Sequence, residues 1–265
     1  MHTNANTGGL QFQVDSLQVE VFPSREALGA AAAGHAAERI RELLGRQERV
    51  RMIFAAAPSQ NEFLASLIQA EGIDWSRITA FHMDDYLGLP EEAPQRFGRF
   101  LKEKLFDRVH PGEVRYIRTD GGVEAECERY EQLLREAPID IVCLGIGENG
   151  HIAFNDPPVA DFQDPVWVKA VVLDDACRRQ QVNDGCFPDF GSVPEQALTL
   201  TIPALLSGAR LYCMVPGPTK REAVTRTLAG PITTACPASV LRTHPHCTLY
   251  VDQDSYDGAW RLREE

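Results

Sequence analysis

No window of this 265-residue chain holds the roughly 18 consecutive apolar residues of a membrane-spanning helix. The start, Met1 to Gln11, lacks the basic cluster and apolar stretch of a signal peptide. Residues 1–12 are expected to form a flexible tail. Positive charge is scarce, with 26 Lys and Arg against 38 Asp and Glu and a net charge of -12. That balance, with no basic helix-turn-helix region, argues against nucleic acid or an anionic membrane as the main partner. It leaves room for a small anion, because a few local cations and helix N-termini bind phosphate even in an acidic protein. The seven cysteines are odd in number and never spaced C-x-x-C, which points to reduced thiols in a cytoplasmic protein. Cys143 and Cys213 lie in apolar runs and read as buried small hydrophobes. His244 and His246 have no third ligand at a recognised spacing, so no metal is expected. Internal repeats, low-complexity blocks and long Pro/Gly/Ser linkers are also missing, so residues 13–265 read as a single domain.

The chain does have a regular alternation of strand-like and helix-like stretches. Residues 17–22, 49–56, 78–83, 114–117, 139–144, 166–173, 210–215 and 247–251 read as strands. Helices are expected from Ser24 to about Arg46, after Ser59, over 94–109, 122–136 and 218–229, and briefly over 235–241. Ser24 is a candidate N-cap, and Ser59-x-x-Glu62 fits a capping box. Residues 174–183 and 198–206 are ambiguous. Alternating strands and helices imply βαβ units, and continuous apolar strands such as 139–144 suit a sheet covered on both faces. The fold class is α/β, with a mostly parallel sheet covered by helices on both faces.

In such sheets ligands bind beyond the carboxyl ends of the strands. Four of these ends are chemically unusual: Ala57-Pro58-Ser59-Gln60-Asn61, Asp84-Asp85, Gly145-Ile146-Gly147-Glu148-Asn149-Gly150-His151, and Pro216-Gly217-Pro218-Thr219-Lys220. Together they supply backbone N–H groups, hydroxyl and amide donors, carboxylates, an imidazole and an ammonium. The G-x-G-x-x-G run alone is weak evidence for a dinucleotide site, and Pro157-Pro158 forbids the helix that such a site needs. It reads instead as a glycine-rich active-site loop. His151, with Glu148 and Asp156 nearby in sequence, is a candidate acid/base. One carboxylate of the Asp84-Asp85 pair is a candidate base. Ser59, Gln60 and Lys220 are candidate phosphate holders, with Arg178 and Arg179 as weaker ones.

These residues resemble a known family. Phe81-His82-Met83-Asp84-Asp85-Tyr86-Leu87-Gly88-Leu89-Pro90 is similar to the F-x-M-D-E-Y-x-G-L segment of glucosamine-6-phosphate deaminases. The stretch from Leu144 to Pro157 is similar to their G-x-G-x-[DN]-G-H-I-A-F-N-E-P loop. Val193-Pro194-x-x-Ala197-Leu198-Thr199 and Gly217-x-x-Lys220 match in order. The resemblance runs from about Val50 to Val251. It implies a Rossmann-like fold with no nucleotide cofactor and no metal. It implies that Asp84 moves a proton between C2 and C1 of an open-chain amino sugar and that His151 opens the pyranose ring. Asn149 and Asp156 would orient that imidazole. Lys220 and the Ser59 loop would hold the 6-phosphate, with Gln60, Asp85, Gly147 and Arg178 also at the substrate.

Three departures stand out. Ala57-Pro58-Ser59-Gln60 replaces a Gly-Gly-Thr-Pro type of phosphate loop, Asp156 replaces Glu, and Asn149 stands where some members have Asp. The expected partner is a small phosphorylated sugar, and whether the chain forms a homo-oligomer is left open. A 6-phosphogluconolactonase ranks second, because Ile152-Ala153-Phe154-Asn155 follows the deaminase form. A non-catalytic sugar-phosphate sensor would lack a use for both Asp84 and His151, and a dehydrogenase is disfavoured by Pro157-Pro158.

Overall fold

The computed structural model describes residues 10–119 and 121–258. The strands are β1 (Leu10–Val14), β2 (Leu17–Phe22), β3 (Val50–Phe54), β4 (Ile78–His82), β5 (Asp84–Tyr86), β6 (Glu113–Arg115), β7 (Ile141–Leu144), β8 (Val168–Val172), β9 (Gln196–Leu200), β10 (Arg210–Val215) and β11 (Cys247–Asp252). The helices are α1 (Arg25–Leu44), α2 (Asn61–Ile68), α3 (Phe97–Leu101), α4 (Asp107–Val109), α5 (Val123–Arg135), α6 (Asp175–Asn183), α7 (Ile202–Leu206) and α8 (Arg221–Ala229).

Eight strands form one sheet in the order β1-β2-β11-β10-β7-β3-β4-β6. Every neighbouring pair is parallel except the β1–β2 hairpin. The expected tail is therefore shorter at its inner end: Leu10 to Phe12 pair in register with Val21 to Val19, and residues 1–9 lie outside the described residues. β3, β4, β7 and β11 are buried along their whole length. Two apolar clusters explain this, one on each face. One packs α1 and α2 against the sheet, and the other includes Tyr130 and Leu134 of α5 and Val224 and Leu228 of α8. Removing so much apolar surface from water is what holds the layers together. Ser24 caps α1 as expected, its Oγ accepting Ala27 N–H at 3.3 Å. A Cβ on Gly29 would lie 2.6 Å from Glu62 Cβ, so glycine lets α1 and α2 cross closely.

β3 leads through α2 to β4 on one side, whereas the chain later returns to β7 on the other side. The order of strands reverses between β3 and β7, which is where an open α/β sheet has its ligand crevice.

A second, three-stranded antiparallel sheet, β5-β9-β8, was not foreseen. Residues 166–173 supply its edge strand and do not join the main sheet. The ambiguous stretch 198–206 resolves into the end of β9 followed by α7. Thr201 caps that helix, its Oγ1 accepting Ala204 N–H at 3.4 Å. Ser59 is not a cap. Residues 58–60 form a single tight turn before α2, and Glu62 pairs with Arg25 Nε at 2.8 Å. His244 is structural, its Nε2 bonded to Gly208 O (2.9 Å) and its Nδ1 accepting His246 N–H (3.1 Å). Cys143 and Cys213 are buried.

Candidate active site

A cleft open to solvent lies over the switch point. Ser59 and Gln60 enter it after β3, Asp84 after β4, Gly147 and His151 after β7, and Lys220 after β10. Four strand ends that are far apart in sequence thus meet at one edge of the sheet.

Asp84 is held in place through its backbone. It pairs with Thr199 of β9, and its carbonyl faces Nδ1 of His82 at 2.9 Å. His82 Nε2 accepts Ile117 N–H at 2.9 Å, so Nδ1 carries the ring proton and donates to Asp84 O. Burial holds His82 neutral by lowering its pKa. The Asp84 carboxyl is buried in the cleft wall. Desolvation, followed by the nearby Asp85 charge, pushes its pKa well above the carboxylate range. A carboxylate with raised proton affinity is a stronger general base.

His151 rests on bare backbone. A Cβ on Gly147 would come within 2.1–2.5 Å of its ring atoms, so the second glycine of the G-x-G run is the seat of the imidazole. Nδ1 lies 2.9 Å from Asp156 Oδ1, which directs Nε2 away from that carboxylate. Asp156 also accepts Asn149 Nδ2 (2.9 Å) and Asp174 N–H (3.2 Å). Although burial opposes ionisation, the His151 ring, Asn149 and Asp174 together lower the pKa of Asp156. Asn149 Oδ1 in turn accepts His151 N–H at 3.0 Å, closing the loop on itself. Ala153, a cleft residue without glycine's freedom, is held at φ 48°, a strain retained beside the site. Glu148 does not pair with the imidazole; its carboxylate faces Asn183 at 3.5 Å.

Lys220 is 5% exposed, and no carboxylate among the described residues comes within 4 Å of its ammonium. Desolvation lowers its pKa. A buried cation without a counter-ion is unfavourable unless an anion joins it. Ser59 Oγ, freed from capping, faces the same cleft. Gln60 is fixed by donation from Nε2 to Met214 O at 3.3 Å.

Two expected substrate residues lie elsewhere. Asp85 faces away from the cleft because successive strand residues point to opposite sides. It binds Arg96 at 3.2 Å and accepts the N–H groups of Tyr86, Phe97 and Gly98, anchoring the start of α3. Arg178 turns its guanidinium to Val193 O (2.9 Å) and Phe190 O (3.2 Å), over the Phe190 ring. Arg179 is exposed, 3.7 Å from Asp175. Gln180 and Gln181 of α6 do line the cleft. Sequence reasoning missed them because residues 174–183 carry no strong apolar period; their spacing from Asp174 and Cys177 on one helical face was the available signal.

The doubly wound sheet and this site define a class: an α/β protein that brings a carboxylate, an imidazole and an ammonium together in one cleft, an arrangement chemically able to move protons on an anionic ligand. Residues 23–250 match the family described as glucosamine-6-phosphate isomerases/6-phosphogluconolactonase, and the chain belongs to it. Glucosamine-6-phosphate deaminase 1 of Giardia intestinalis is 39% identical over 200 residues, 72% of each chain. The glucosamine-6-phosphate deaminase of Halothermothrix orenii is 35% identical over 196 residues, covering 72% of this chain and 79% of the relative. Among solved structures, a monomeric glucosamine-6-phosphate deaminase superposes with a TM-score of 0.82 at 31% identity, over 89% of this chain and 98% of the other. The 6-phosphogluconolactonase of Thermotoga maritima gives 0.73 at 21% identity, over 89% and 100%, a likeness of fold. No helix among the described residues is long and apolar enough to cross a membrane.

Proposed function

We propose that this protein is a deaminating sugar-phosphate isomerase that converts glucosamine 6-phosphate and water to fructose 6-phosphate and ammonia. The observation that carries this reading is the opening of Asp84, His151 and Lys220 onto one cleft from separate strand ends. Lys220, the Ser59 hydroxyl and the N-termini of α2 and α8 hold the 6-phosphate. His151, steadied by Asp156 and seated on Gly147, takes the proton of the C1 hydroxyl and delivers it to the ring oxygen, opening the pyranose. Asp84 removes the C2 proton of the open chain and returns it to C1. The proton that the C2 amine loses in becoming an imine passes to the C1 oxygen, which becomes the product hydroxyl. Water then adds at C2, its protons pass to nitrogen, and ammonia leaves as the C2 carbonyl forms. The carboxylate carries the proton from C2 to C1, and the imidazole carries the ring-opening proton. The proposed setting is the cytoplasm, with a small phosphorylated sugar as ligand.

Incubation with glucosamine 6-phosphate, following ammonia and fructose 6-phosphate, tests the reading. Equal amounts of both products are expected. Turnover of 6-phosphogluconolactone in place of the amino sugar would overturn it.

A further inference from the structure

One face of α6 lies along the loop that carries His151. At the helix N-cap, Asp174 donates its backbone N–H to Asp156 Oδ2 at 3.2 Å. Two turns on, Gln180 Oε1 accepts Glu148 N–H at 2.7 Å, and its own amide donates to Asp184 at 3.3 Å. Cys177 lies between them on the same face and is fully buried. Its Sγ, a carboxylate oxygen of Asp156 and a ring nitrogen of His151 all lie within 4.8 Å of one another.

We propose that Cys177 is a positioning residue for the imidazole: its S–H donates to the Asp156 carboxylate, joining Asn149 and the Asp174 N–H in holding that carboxylate ionised and aimed at His151. Burial, and then the carboxylates of Asp156 and Asp84, push the thiol pKa well up, so the group is a donor. Asn149 links the groups around Asp156, its Nδ2 also reaching Asp174 Oδ2 at 3.4 Å and its Oδ1 accepting His151 N–H at 3.0 Å, so they form a hydrogen-bonded cluster. Cys177 touches no substrate; it acts through Asp156, and its catalytic consequence rests on the role proposed for His151. The titratable groups facing this carboxylate are His151 on its own loop, Asp174 at the N-cap of α6 and Cys177 on α6, while Asp84 and Lys220 interact with the thiol.

Cys177→Ala removes the donor, and Cys177→Ser restores one. In the alanine variant the pH at which Asp156 takes up a proton rises by about half a unit or more. Two readouts follow it: the ¹³C titration of the Asp156 carboxyl by NMR, and the acid limb of kcat/KM for ammonia release. Both move up in Cys177→Ala and return toward wild type in Cys177→Ser, with KM unchanged. A role in packing alone would lower the melting temperature and leave both midpoints in place. Coincident midpoints in all three proteins would overturn the proposal. The NMR arm needs no substrate, so it reports on Cys177 even where the reading of the reaction fails.

Discussion

Asp84 and Asp85 are consecutive on β5 and serve opposite sides of it: Asp84 lines the cleft, whereas Asp85 is tied to Arg96 and the start of α3. One carboxylate is compensated and the other is left nearly bare, with the first adding to the proton affinity of the second. Environments that pull two like groups apart are how a fold assigns a base.

Thermal stability reports this directly. The folded pKa of Asp84 is raised, so its ionisation costs stability as pH climbs above the ordinary carboxylate range, and the cost is absent in acid. Asp84→Asn is expected to melt above wild type at pH 7 to 8, a gap that narrows toward the ordinary carboxylate value of 3.8. Calorimetry across this range checks it; a variant that melts lower at neutral pH contradicts it.

Asp85→Ala is expected to behave as a structural lesion. Removing one member of a buried pair leaves Arg96 uncompensated, at a cost of about 3 kcal/mol or more. Denaturant unfolding measures this. The surviving folded fraction should keep a near-normal KM, because Asp85 does not line the cleft.

Gly147→Ala places a methyl group inside the present position of the His151 ring. The imidazole must leave its seat, and activity should fall roughly 10²–10⁴-fold, the usual worth of a general acid/base. The backbone fold stays intact, which circular dichroism would show. Activity near that of wild type would mean that the ring does not rest on this residue.

Lys220→Met removes a buried ammonium that has no carboxylate partner among the described residues. Its folded pKa is lowered, so the cost of keeping it charged is present at neutral pH, fades as pH climbs toward the ordinary lysine value and is gone above it. The variant should melt at or above wild type at pH 7. It should also lose stabilisation by inorganic phosphate, and KM should rise roughly 30-fold or more. Unchanged phosphate protection would move the anion elsewhere.

Local pattern carried the main sheet. The bounds of β2 and β10 coincide with those read at 17–22 and 210–215, because β10 is a near-continuous buried apolar run and β2 alternates buried apolar with more exposed polar residues, and both patterns are local. The small antiparallel sheet was hidden because β5 has only three residues and pairs with β9, far along the chain. Ser59 had the spacing of a capping box, but Arg25 on α1 claims Glu62, and no local rule sees that contact. For the site, the motifs led to Asp84, His151, Asn149, Asp156, Gly147, Ser59, Gln60 and Lys220, which the structure gathers around one cleft and its supporting loop. Asp85 and Arg178 were misplaced because spacing says nothing of facing: strand alternation turns one away, and the carbonyls of Phe190 and Val193 hold the other.

The most direct test follows the C2 proton. Wild-type protein and Asp84→Asn are each incubated in heavy water with glucosamine 6-phosphate, and ammonia release and deuterium at C1 of the product are measured. Wild type should release ammonia in step with fructose 6-phosphate, whereas Asp84→Asn should lose both the release and the proton transfer, by roughly 10²-fold or more. Undiminished ammonia release from Asp84→Asn, with C1 labelled as in wild type, would contradict the assignment of that carboxylate as the base.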